Sequence, residues 1–259
     1  MSKNQGGKSN PLLAAERADR NRKILIQVAV AAVLVALIAA IGIGIAVKKA
    51  RNDDPGPTPA ITATGTANAG GVPGSLTDNG AVRIGKPDAK VTVRVVADLQ
   101  CPACKAFEAA NGQVLEDAVA NGTAVVEYNI IAFLDKASTT RYSTRAANAG
   151  YCVAEADPSK YQAWLKTMFA QQPPEGGAGL PDEQLVQIAK SVGYTDDAVA
   201  QCITDHKFDK YIQARTKDVL ESGIQSTPSV FVNGKKVESS QEIFGTGGLA
   251  PAINAAASR

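Results

Sequence analysis

Apolar and polar positions divide the chain into three stretches of different character. The first is an apolar run from Ile24 to Val47, 24 residues with one clearly polar member, Gln27. As a helix it measures roughly 36 Å, enough for a ~30 Å hydrocarbon core, and lipid leaves its backbone no other way to pair. A cleaved signal peptide has a shorter apolar region ending at a small-residue site. This run ends in Lys48 and Lys49, which predicts an uncleaved transmembrane anchor. The second stretch, Asn52 to Gly74, is rich in Pro, Gly, Ala and Thr and has scarcely any large apolar residue. It reads as a flexible tether with a reach of about 25 Å.

From about Ser75 the pattern becomes mixed α/β. Val91 to Ala97 is a β-branched run that predicts a strand, followed by a helix to about Ala120 and a second, central strand from Val125 to Phe133. Residues 138–222 read as helical, broken at Asp157-Pro158, Pro173-Pro174 and Gly193. Ser229 to Val232, the Asn233-Gly234 pair and Lys235 to Glu238 predict a hairpin on a type I′ turn, and a last helix covers Leu249 to Ala257. This order describes a parallel βαβ unit interrupted by a helical insert and closed by an antiparallel hairpin. The chain therefore parses into a basic segment (1–23), an anchor (24–47), a linker (48–74) and one folded domain (75–259, insert about 138–222).

Charge changes the picture only once it is split by region. The net charge is +2, but residues 1–74 carry nine Lys/Arg against four Asp/Glu, while residues 75–259 carry eighteen against twenty-one. The basic excess thus belongs to the anchor flanks, and the domain has no footprint for nucleic acid. Six of the nine cations precede the apolar run. By the positive-inside rule the N-terminus is cytoplasmic and the domain extracytoplasmic. A single histidine, His206, excludes His-rich zinc sites and two-histidine metalloprotease helices.

The candidate chemistry lies in Cys101-Pro102-Ala103-Cys104, directly after the first strand and at the start of a helix. Three-residue spacing in a first helical turn brings two sulfurs within disulfide distance, and Pro102 suits the first helical position. The first cysteine, expected to be exposed, sits over unpaired N–H groups at the positive helix end. Its thiolate is thereby stabilised and it becomes the nucleophile, with Cys104 the more buried resolving thiol. Two readings compete: half of a zinc site, which wants a second close pair while Cys152 and Cys202 stand 50 residues apart, and an inert structural disulfide, which would not need the strand–CxxC–helix context. No metal is expected.

Gly85 to Val93, Asp98 to Cys104 and Ser226 to Val237 together resemble the DsbA-like branch of the thioredoxin superfamily. The likeness is strongest to membrane-anchored disulfide oxidoreductases of actinobacteria and covers about residues 80–257. It implies an α/β thioredoxin fold with an inserted helical subdomain, preceded by one transmembrane helix. It implies no cofactor. The implied partners are unfolded exported proteins with cysteines and a membrane re-oxidising protein of the VKOR or DsbB type. It also implies a cis Thr227–Pro228 peptide facing the cysteines, where an extended substrate could pair like an added strand. One departure matters: the best-known oxidases of this group carry His where this chain has Ala103, which cannot supply that stabilisation of the thiolate.

Cys152 and Cys202 fall in the first and fourth insert helices. Outside the cytoplasm, two remaining cysteines in one subdomain point to a structural disulfide, and the anchored relatives carry such a bond; a second redox pair is the alternative. Asp98 reads either as a proton acceptor for the buried thiol or as a cap of the strand-to-helix loop. His206 reads as a solvated helix terminus. Tyr161, Trp164, Met168 and Phe169 recur at helical spacing as subdomain core, with a peptide groove as the other use of that stripe.

Overall fold

The computed structural model of the protein describes residues 39, 41–43, 54–62 and 72–258. The expected basic segment 1–23 and the expected anchor lie outside the described residues, except for 39 and 41–43, which are helical with Ile41 and Ile43 exposed. Among the described residues no helix is long and apolar enough to cross a membrane.

Among the described residues six strands form one sheet: β1 Gly74–Leu76, β2 Val82–Ile84, β3 Val91–Ala97, β4 Ala124–Ile130, β5 Ser229–Val232 and β6 Lys235–Lys236, in the order β1-β2-β4-β3-β5-β6. Helix α1, Pro102–Ala120, makes the crossover between the parallel strands β3 and β4, while β5 runs antiparallel to β3. The period-2 pattern of β3 explains its central place. Val91, Val93 and Val95 join Phe107 and Leu115 of α1 in the main core, whereas Val96 packs with Ile131, Val219 and Ile224 in a second cluster. Each such buried side chain contributes about 1.5–3 kcal/mol. The hairpin turn is as expected, with φ of 47° at Asn233 and 78° at Gly234.

The insert comprises α2 Tyr142–Ala156, α3 Tyr161–Ala170, α4 Asp182–Ser191, α5 Asp197–Thr204 and α6 Asp209–Glu221. Helix α2 is buried from Tyr142 to Ala154, which its many alanines allow because neighbours can approach closely. Tyr161, Trp164, Met168 and Phe169 are all at 3% exposure or less, so the stripe is core and lines no surface groove. A disulfide joins Cys152 on α2 to Cys202 on α5. Two short helices, α7 Ser240–Phe244 and α8 Ala250–Ala257, complete the described fold.

Three differences from the sequence reading have physical causes. Strands β1 and β2 have three residues each and α7 has five, too short to show a periodicity. The linker expected at 48–74 is not all tether: the compact part begins at Pro55 and β1 starts at Gly74. Within it Pro59 is buried, Ile61 joins the main core at 6% exposure, and the Ala60 N–H donates to Glu155 Oε1 at 2.9 Å. One isoleucine with a place in the core, flanked by prolines that restrict the unfolded chain, orders a segment whose composition reads as flexible. His206 is the third. Its φ is 54°, and Nε2 lies 2.8 Å from Asp182 Oδ2, tying α4 to the turn before α6.

Candidate active site

Strand β3 ends at Ala97, and Asp98, Leu99 and Gln100 turn the chain into α1. Cys101 occupies the N-cap position with extended backbone and Pro102 opens the helix, so no side chain competes for the first-turn N–H groups. The Cys101 carbonyl accepts from Cys104 N at 3.0 Å and Lys105 N at 3.2 Å.

Both cysteines of the pair are thiols here. Cys104 is fully buried, as anticipated, but Cys101 is at 7% exposure, more covered than its position at a helix start suggested. The cover comes from the segment before β5: Thr227–Pro228 is a cis peptide, and the Thr227 carbonyl oxygen lies 3.4 Å from Cys101 Sγ. Residues 126 positions apart in sequence thus meet at the sulfur.

The environment pulls the two thiols in opposite directions. Donation from the Cys104 thiol, then from the Thr227 side chain and the Cys104 and Ala103 backbone, brings the Cys101 pKa down to about 6 against the effect of burial. Cys104 is pushed well above the usual thiol value by burial first, and then by its hydrogen bond to Cys101 and the charge there. A nucleophile that is ionised at neutral pH therefore stands beside a partner that is not.

Asp98 is fully buried, and its carbonyl accepts from Cys101 N at 3.0 Å. Its Oδ1 accepts from Gln100 N and Ser143 Oγ, both at 2.8 Å, and Oδ2 accepts from Leu134 N at 2.7 Å. Burial pushes its pKa up to about 6, these three donors pull it down, and the Cys101 charge raises it further. The carboxyl caps the strand-to-helix turn through Gln100 N, and the Asp98 backbone, not its carboxyl, is the part that meets the Cys104 thiol. Cys152 and Cys202 form a separate bond within the insert, buttressed by Asn148, whose Nδ2 donates to Ile203 O. Among the described residues no group of His, Cys, Asp or Glu is placed to hold a metal.

Three contributors carried no sequence signal. Ser143 at the start of α2, Gln172 just beyond α3 and the Leu134 amide after β4 reach the site only through the tertiary fold. Gln172 Nε2 donates to Leu99 O and Cys101 O, each at 3.0 Å. No short motif places Ser143 or Gln172, because each lies more than 40 residues from its partner.

A parallel strand pair, a CxxC at the N-terminus of the crossover helix and a cis-proline loop against the first sulfur define a thioredoxin-fold dithiol centre. The family model described as Thioredoxin matches residues 77–246. The chain belongs to the thioredoxin family, on its DsbA-like side. The reduced DsbA of Mycobacterium tuberculosis is 32% identical, with 68% of this chain and 98% of that one covered and a TM-score of 0.54. Disulfide bond formation protein D of Bacillus subtilis is 25% identical over 169 residues, 64% of this chain and 74% of its own length. Serine/threonine-protein kinase PknE of Mycobacterium tuberculosis is 34% identical over 130 residues, 48% of this chain, and the chain spans only 23% of that kinase's length.

Proposed function

We propose that this protein is a membrane-tethered, extracytoplasmic thiol:disulfide oxidase that introduces disulfides into exported proteins. The observation that carries the reading is the Cys101 thiol, held at about 6 over the N-terminus of α1 beside a buried Cys104. In the disulfide form, a substrate thiolate attacks Cys101 Sγ, forms a mixed disulfide and breaks the Cys101–Cys104 bond. Cys104 departs as a thiolate and takes a proton, for which Asp98 is the nearby exchange group. A second substrate thiolate attacks the substrate sulfur of the mixed disulfide, and Cys101 leaves as the stabilised thiolate. Two electrons pass from substrate to enzyme, and the low pKa of Cys101 favours its departure in the second step. The Thr227–Pro228 backbone is the docking edge for an extended substrate. A membrane partner of the VKOR or DsbB type would return Cys101 and Cys104 to the disulfide, and the apolar run 24–47 would keep the domain beside it.

Ala103 favours the second reading, a reductase or isomerase. It offers no side-chain donor to the thiolate, so the reduced form is less stabilised than a histidine there would make it. The test is a Cys104→Ser variant incubated with a reduced, unfolded protein activated as a mixed disulfide, alongside oxidised wild type with the same reduced protein. The oxidase reading expects wild type to yield native substrate disulfides, and the variant to be trapped on substrate through Cys101. Failure of the oxidised wild type to transfer its disulfide removes the oxidase reading.

A further inference from the structure

With no side-chain donor at Ala103, the Cys101 thiolate draws on the Cys104 thiol, the Thr227 side chain and the backbone N–H groups of the turn, and the structure shows what holds that turn. Leu99 belongs neither to β3 nor to α1, while the Cys101 carbonyl opens the helix and already accepts from Cys104 N and Lys105 N. Gln172 reaches both carbonyls and joins them. Its Nε2 donates both protons, one to Leu99 O and one to Cys101 O, each at 3.0 Å.

The arm that delivers this amide is stiff. Gln172 N donates to Phe169 O at 3.2 Å, which ties the residue to the end of α3. Pro173 and Pro174 follow and fix the next two φ angles. Helix α3 is in turn rooted in the core by Trp164, Met168 and Phe169. The insert thus grips the redox turn from one side while the Thr227 carbonyl contacts Cys101 Sγ from the other, at 3.4 Å. The gripped Cys101 carbonyl is the same one that Cys104 N and Lys105 N bond at the start of α1, so the amide ties the nucleophile to the first turn of the helix.

We propose that Gln172 is a positioning residue, locking the Cys101 turn onto the N-terminus of α1 and so sustaining the thiolate and the oxidising power of the pair. The proposal rests on Cys101 being the nucleophile and adds that the insert, through one amide, sets its reactivity. Loss of the amide lets the turn drift, and hydrogen bonds to a thiolate weaken steeply with distance and angle. The thiolate then becomes rarer, and the disulfide becomes the more stable form relative to the dithiol.

The experiment compares reduced wild type, Gln172→Met and Gln172→Ala by the rate of iodoacetamide alkylation of Cys101 at pH 5 and by the redox equilibrium with glutathione. Gln162→Met serves as control, because Gln162 donates from α3, the helix that leads to Gln172, to Tyr128 Oη at 2.9 Å. Below the pKa the alkylation rate follows the thiolate fraction, about tenfold per pKa unit. Both Gln172 variants are expected to react about three- to tenfold more slowly than wild type at pH 5 and to shift the glutathione equilibrium toward enzyme disulfide. The control should keep both wild-type values, even where its melting temperature falls. Gln172 variants that keep the wild-type rate and equilibrium overturn the proposal, whatever their stability. A wild type with no low-pKa thiol would instead overturn the reading of Cys101 on which it rests.

Discussion

Cys101→Ser should remove a pH-dependent part of the stability of the reduced protein. The Cys101 pKa falls from a usual value near 9 to about 6 on folding. A group with a lowered folded pKa adds stability as pH rises from the folded toward the unfolded value, and loses it as pH falls through the folded value. The window is therefore pH 6 to 9. Between pH 5.5 and 7.5 the full linkage amounts to about 2 kcal/mol at 1.36 kcal/mol per pKa unit. Solvent reaching the sulfur screens part of it, which leaves about 1–2 kcal/mol to be seen. Cys104 adds nothing in this range because its pKa moves upward, and Asp98 is present in both proteins and largely cancels in the difference. The assay is urea unfolding of both proteins under reducing conditions at the two pH values. It is followed by the fluorescence of the single tryptophan, Trp164, which is fully buried. Wild type should gain about 1–2 kcal/mol on the variant on going from pH 5.5 to 7.5. A difference between the two proteins that does not change with pH would refute the claim that folding stabilises this thiolate.

Three other perturbations test separate parts of the structure. Replacing Cys152 and Cys202 together by alanine opens a loop spanning a sequence separation of 50 and should cost about 4 kcal/mol in urea unfolding, while Cys101 alkylation stays at its wild-type rate. Ser143→Ala removes one of three donors to the Asp98 carboxylate and should raise the Asp98 pKa above about 6. The pH profile for closure of the Cys101–Cys104 bond should then move upward; an unmoved profile would show that Asp98 does not handle the proton. Ile61→Ala should cost about 2 kcal/mol, because the residue is at 6% exposure in the core; a free tether would show no change in the denaturation midpoint.

What could be read from the chain beforehand follows from the range over which each signal acts. The strand Val91–Ala97, the helix opened by Pro102 and the Asn233-Gly234 turn are encoded by neighbours within a few positions, and each lies where its pattern put it. Cys101 and Cys104 are three apart on one helical turn, so spacing alone pairs them. Ser143 and Gln172 were invisible for the opposite reason: a serine and a glutamine become contacts of the redox turn only once the insert has packed. Ile61 illustrates a third case. Composition reads scarce apolar residues as a tether, yet Ile61 in the core, with Pro59 buried and the Ala60 N–H on Glu155, holds its segment on the domain.

The most direct test of the central claim is the redox state of Cys101 and Cys104 in intact cells, trapped by acid quenching and read by alkylation of free thiols. An oxidase that is re-oxidised at the membrane should carry the pair predominantly as a disulfide. A pair found predominantly as free thiols would contradict the oxidase account and make the protein a reductase or isomerase.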